Sequence, residues 1–110
     1  VNELFRSMML TYANIDFPKE TLFPASFGHL AAGYSAGYYS YLWSVVLAQD
    51  MFTRFAAEGA LNPAVGAEYR RLILEVGGVS EPMAAVTEFL GRSPTEDAFL
   101  DRFAPESAAL

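Results

Sequence analysis

An all-α fold follows from three features of this 110-residue sequence. Apolar residues recur at three- and four-residue spacings along most of the chain, no stretch alternates convincingly with period two, and glycine or proline closes each periodic run. Four to five helices are expected in a single segment over residues 1–110, with a Gly/Tyr-rich loop before the longest. Leu4, Phe5, Met8, Met9 and Tyr12 give the first helix its apolar side. Pro18 and Pro24 punctuate a long connection from about Asn14 to Gly28. The main helix is expected over Ala36 to Glu58, with Tyr38, Tyr41, Val45 and Phe52 on one side, and Gly59 ends it. Tyr34 extends that row if the helix begins early. Asn62 caps the next helix, with Pro63 at its first position, and Val65, Tyr69, Leu72, Ile73 and Val76 stripe it as far as Gly77-Gly78. Ser80 is expected to cap a short helix through Val86, Phe89 and Leu90 to Gly91. Ser93, Pro94 and Glu96 read as a capping box that opens a last helix through Phe99, Leu100 and Phe103, which Pro105 ends.

Composition narrows the function. Hydrophobic residues make up 53% and aromatic residues 15% of the chain, enough for a packed core. That apolar share is high for so short a chain, whose surface takes a large fraction of its residues. Some apolar faces are therefore expected to pack on a partner, although an ordinary helical domain rich in alanine has a similar composition. The net charge of −6 argues against nucleic acid, which demands a basic face. There is no cysteine, which excludes disulfides and fits a reducing, cytoplasmic setting. No apolar run approaches the roughly 18 residues of a membrane span, and no cleavable signal pattern is visible. The start at Val1 is expected for a fragment or processed product.

The stretch from Phe27 to Trp43, FGHLAAGYSAGYYSYLW, concentrates the chemistry. It holds the only histidine, the only tryptophan and four of the six tyrosines. Gly28, Gly33 and Gly37 suit a mobile or sharply turning loop. A histidine and phenols beside such a loop could grip a peptide and donate hydrogen bonds to a developing oxyanion. Each residue also has a plain reading. His29 alone reads as a structural or surface histidine, Tyr39 as a core residue, and Trp43 as a core anchor. Asp50, Arg54, Glu58 and Arg70 read as solvated or paired surface charges, the first three spaced for ion pairs. Glu96, Asp97 and Asp101 read as a solvated helix face without metal-site geometry. GYSAG matches the Gly-x-Ser-x-Gly elbow of serine hydrolases with Ser35 as nucleophile, but that elbow needs a strand before it, and none is readable.

The same stretch resembles the C-terminal part of the zinc-dependent oligopeptidases of the thimet oligopeptidase, oligopeptidase A and dipeptidyl carboxypeptidase family. The likeness is carried by Phe27-Gly28-His29, Gly33-Tyr34, Tyr38-Tyr39-Ser40-Tyr41-Leu42-Trp43-Ser44 and Asp50-Met51-Phe52. It continues through Glu58-Gly59, Asn62-Pro63, Gly66, Tyr69-Arg70, Gly77-Gly78, Phe89-Leu90-Gly91-Arg92 and Phe99-Leu100. One departure is Ala32-Gly33, where the family has paired glycines. The resemblance implies the C-terminal portion of a larger helical metallopeptidase acting on short peptides. It further implies that Tyr41, Tyr34 and His29 serve catalysis, and that His29, Gly33, Tyr34, Tyr38 and Tyr41 form the substrate wall. The family holds zinc with a His-Glu-x-x-His helix plus a distant glutamate. Here Leu30 follows His29, so that helix is missing; no metal ligand is assigned, no cofactor is expected in this chain, and zinc belongs to the full-length parent.

Three readings stand side by side. The chain is a C-terminal fragment of a zinc oligopeptidase, or an inactive helical interaction module derived from that family, or, ranked last, a serine hydrolase through Ser35. The expected partners are a short peptide in the parent, the remainder of the peptidase chain and a second copy of the fragment, with no nucleic acid or membrane. The isolated chain should bind no stoichiometric zinc and hydrolyse no peptide. Elemental analysis finding about one tightly held zinc per chain, against the three-ligand requirement of a catalytic site, would sink that expectation.

Overall fold

The computed structural model describes residues 1–103; Pro105, expected to end the last helix, lies outside them. All regular structure among the described residues is helical. The chain divides into two compact units, Val1–Tyr39 and a second that begins at Ser40.

In the first unit, α1 (Asn2–Ala13) ends at Asn14, which adopts a left-handed φ of 54°. Asparagine tolerates this conformation, and Ile15 N–H then reaches back to the Met9 carbonyl at 3.1 Å. Arg6 ties the following loop to α1, donating to the Phe17 carbonyl at 2.7 Å and to Asp16 at 3.3 Å. The expected connection from 14 to 28 contains one more helical turn, α2 (Phe23–Ser26). Pro24 opens this turn instead of breaking one, because a proline in a first turn forfeits no hydrogen bond. Phe5 stacks on Phe23 at 5.0 Å and meets Phe17 edge-on at 5.2 Å. Leu4, Phe5, Met8, Phe23, Phe27 and Leu30 border an apolar cleft of about 300 Å³. No residue of this unit is fully buried.

The second unit is built on α3, Ser40–Glu58, the longest helix. It starts four residues later than the expected Ala36. Gly37 N–H bonds the Tyr34 carbonyl at 3.1 Å, an i to i+3 turn, so Tyr34 and Tyr38 precede the helix. Gly59 closes α3 with a φ of 105°. Asn62 caps α4 (Pro63–Tyr69), its side chain accepting from Ala64 N–H at 3.0 Å, as its sequence predicts. The helix then widens into a π turn over Arg70–Leu74, closed by Glu75 N–H to the Arg70 carbonyl at 2.8 Å. This wider turn brings residues five apart together, and Arg70 pairs with Glu75 at 2.8 Å. In a regular helix only residues three or four apart are neighbours.

Two caps differ from expectation. Glu81, not Ser80, caps α5 (Pro82–Leu90) by accepting from Ala84 N–H at 2.8 Å; Gly91 ends it with a φ of 70°. The capping box at Ser93 does not form. Glu96 stands just before α6 (Asp97–Phe103), its carbonyl accepting from Phe99 and Leu100, while the Thr95 hydroxyl donates to Asp97 at 3.0 Å. Val65, Leu72 and Phe89 form the core, with Met51, Phe55, Tyr69 and Ile73 packed against it. Phe89 meets Phe55 at 5.8 Å and Tyr69 at 5.4 Å. Trp43 and Tyr39 are not core residues; they are 61% and 66% exposed. Trp43 stands on the first turn of α3, away from Met51 and Phe55, through which that helix meets the core.

Asp50, expected on the surface, is 1% exposed. It lies one turn after Val46, on the buried side of α3. The Arg92 guanidinium holds both carboxylate oxygens, one of the two bonds at 2.9 Å, and Thr95 N–H donates at 2.8 Å. The hydrogen bonds from Arg92 hold the carboxyl below its ordinary range, opposed by burial and aided by the Thr95 amide. Arg54 does pair with Glu58 at 2.8 Å, and also binds Glu68, the Phe89 carbonyl at 2.7 Å and the Phe89 ring face at 4.9 Å.

A pH reversal follows from the Asp50 pair. An unfolded aspartate titrates near pH 3.9, and the folded one titrates lower, so the pair's stabilisation is complete above roughly pH 4 and lost on further acidification. Arg92→Ala leaves a buried carboxylate with one amide partner. Because the Arg92 side chain is 44% exposed, solvent screening puts the cost at the lower end of about 3–5 kcal/mol. In that variant burial, partly offset by the Thr95 amide, pushes the Asp50 carboxyl up instead of down, so acidification should add to its stability where it takes stability from the wild type. Urea melts in which Arg92→Ala instead follows the wild-type acid profile would refute the assignment.

Candidate functional site

The loop that carries His29 is shaped by short turns. Phe27 ends α2 with φ −82° and ψ 84°, and its carbonyl accepts from Leu30 N–H at 3.1 Å. That bond opens a 3₁₀ turn over Gly28–Leu30 with His29 at its middle. Gly33 then takes a φ of 79°, a left-handed conformation that turns the chain towards Tyr34. A Cβ at Gly33 would meet nothing within 4 Å, so a substitution there is opposed by backbone strain alone, about 1–2 kcal/mol. Gly28 and Gly37 do not have positive φ, so only Gly33 of the three uses the freedom expected of them.

These turns gather three of the expected site residues. The His29 ring stands edge-on to Tyr34 at 5.4 Å and 88°, and lies 5.6 Å from Tyr38. Phe27 meets His29 edge-on at 5.5 Å and Tyr38 at 4.8 Å. Tyr34 and Tyr38 are 41% and 40% exposed, so the cluster presents an imidazole and two phenols at the surface of the first unit. Tyr41 lies in the second unit, on the first turn of α3, and is 49% exposed. Ser35 sits in a turn with no strand before it, which removes the serine-hydrolase elbow.

A metal centre finds no support in the donor set. Among the described residues no group of three or more His, Cys, Asp or Glu side chains comes together, so those residues do not fit the zinc site of the resembled family. Glu96, Asp97 and Asp101 are exposed, as expected. Asp50, Thr53, Arg92 and Thr95 line a polar cleft of about 360 Å³, but Asp50 is already satisfied there by Arg92 and Thr95. No helix among the described residues is long and apolar enough to cross a membrane.

Sequence reasoning missed Phe27 as a member of the ring cluster and Asp50 as a buried charge. The signal for Asp50 was its phase, i+4 from Val46 on an apolar stripe. For Phe27 it was the Phe-Gly-His string itself, which places two rings around a single flexible residue.

The sequence is similar to those of several known peptidases. Oligopeptidase A of Escherichia coli (strain K12) is 46% identical over 92 residues, covering 83% of this chain and 14% of that protein. Saccharolysin of Saccharomyces cerevisiae is 47% identical over 76 residues, 68% of this chain and 11% of the relative. The thimet-like oligopeptidase of Dictyostelium discoideum is 44% identical over 75 residues, again 68% and 11%. The chain thus spans about one seventh of the length of the first of these relatives. The model of peptidase family M3 matches residues 1–105, from α1 past the end of α6, and with nearly its whole length matched the chain belongs to that family.

Proposed function

We propose that this chain forms the C-terminal part of an M3 oligopeptidase and supplies the wall that binds and polarises a short peptide. The observation that carries this reading is the gathering of His29, Tyr34 and Tyr38 on a glycine-turned loop. Tyr41 comes three residues after Tyr38 in the sequence, in the second unit. In peptide hydrolysis, attack on the carbonyl carbon builds negative charge on the carbonyl oxygen. A phenol within hydrogen-bond reach stabilises that charge more than it stabilises the ground state. Tyr41 is assigned as first donor and Tyr34 as second. His29 orients the peptide backbone, Gly33 sets the loop's bend, and Tyr38 contacts the substrate. The zinc of the family and the general base are assigned to the remainder of the polypeptide, since the single histidine of this sequence is followed by Leu30 and begins no His-Glu-x-x-His helix.

The same remainder is the proposed partner of the exposed apolar surface. Leu4 is 64% exposed, Trp43 61% and Leu42 57%. Side chains of this size lose stabilisation at about 25 cal/mol per Å² of apolar area left in water. Alone, the chain should therefore bind a hydrophobic dye and dimerise at high concentration, with α1 as the exchanged element. A strictly monomeric, dye-silent species by light scattering would count against it. The absence of cysteine supports a cytoplasmic setting.

The mechanistic test uses the full-length peptidase. Tyr41→Phe removes one hydroxyl and should lower kcat by roughly 10²-fold or more with little change in KM, as for a contact made mainly in the transition state. Tyr69→Phe is the control, because its ring packs on Phe55 and Phe89 in the core of the second unit. If Tyr41→Phe keeps wild-type turnover or changes KM alone, the oxyanion role must be given up.

A further inference from the structure

Phe27 sits between two sets of rings. On one side Phe23 stacks on it at 5.2 Å and 26°, and Phe23 in turn stacks on Phe5 of α1. On the other side Tyr38 meets it edge-on at 4.8 Å and 80°, and His29 at 5.5 Å and 77°. Phe27 is half-buried, while His29 and Tyr38 are exposed. Its carbonyl also accepts the bond that closes the His29 turn. Backbone and side chain of one residue thus bear on the same imidazole.

We propose that Phe27 is a positioning residue for peptide hydrolysis, holding the His29 and Tyr38 rings at fixed angles without touching the peptide. This rests on the reading that His29 and Tyr38 face the substrate. Edge-on pairing sets the positive rim of one ring against the negative face of another, so it fixes orientation as well as distance. An aliphatic side chain of similar bulk fills the same space but has no such face. His29 is held by short turns, and with the Phe27 ring gone its imidazole could rotate. Misplacement of a binding group by about 1 Å can cost on the order of 10²-fold in rate.

Phe27→Leu and Phe27→Met test this in the full-length peptidase, with Phe27→Tyr as the conservative rescue. The aliphatic variants should lose about tenfold or more in kcat with KM within about twofold, and the tyrosine variant should stay within about twofold of wild type. A second readout needs no activity. In the full-length peptidase the His29 ring protons are identified by NMR as the histidine signals that His29→Ala removes. Their shifts should move in the aliphatic variants, where the ring current of Phe27 is lost while those of Tyr34 and Tyr38 remain, and stay near wild type in Phe27→Tyr.

Wild-type turnover in both aliphatic variants overturns the proposal. So does a loss that tyrosine fails to restore, or unmoved His29 protons. If the His29 protons shift as expected but His29→Ala and Tyr38→Phe hydrolyse peptides normally, the substrate-wall reading has failed and the kinetic role of Phe27 falls with it.

Discussion

A carboxylate without water must find its counter-charge inside the fold, and Asp50 does so 42 residues away in sequence. Arg92 and the Thr95 amide both lie in the short segment between α5 and α6. The pair therefore fixes where that segment crosses α3, and with it where α6 begins. Its geometry is bidentate, which sets direction as well as distance. A buried pair is weak evidence of net stability, since removing two charges from water is costly. Its value here is positional, because α6 is seven residues long and no residue in it is fully buried.

The two units reach order by different means. The second has a conventional interior, with Val65 and Phe89 fully buried and Arg54 closing its edge through two carboxylates, a carbonyl and a ring face. The first has no fully buried residue and relies on a run of ring contacts, Phe17 to Phe5 to Phe23 to Phe27. Each such pair contributes about 0.5–1.5 kcal/mol beyond the area it buries. Together with the two Arg6 bonds they hold α1, α2 and the loop between them.

Helix type and order were legible in the sequence because period and punctuation agreed for α1, for α4 with Asn62-Pro63, and for α5 up to Gly91. The start of α3 was not, since Tyr38 keeps helical phase with Tyr41 and Val45 while its backbone turns. Phase records which face a side chain would occupy, not whether the backbone bonds are made. The Ser93 box failed for a related reason: Asp50 takes the Thr95 amide, so capping shifts towards Glu96 and Asp97. A bond to a residue 45 positions away lies beyond any local window. The site was half legible. His29 and the tyrosines stand out by type, whereas their grouping depends on a positive φ at Gly33 that the sequence permits without requiring.

The loop's construction bears on how such a site could work. A strand or helix would fix His29 through backbone bonds, but would also fix its neighbours and leave little freedom to receive a peptide. Here two turns closed by 3.1 Å bonds set the backbone path, and ring contacts set the side-chain angles. Such contacts are individually small, and through Phe27 they join the loop to the α1–α2 packing. Because they are directional, they favour one arrangement of the rings. A site that must first admit a flexible substrate and then hold hydrogen-bond donors still for the transition state needs both properties. The departure at Ala32, where the resembled family has a second glycine, moves that balance towards order: it removes freedom beside Gly33 and leaves the left-handed turn itself untouched.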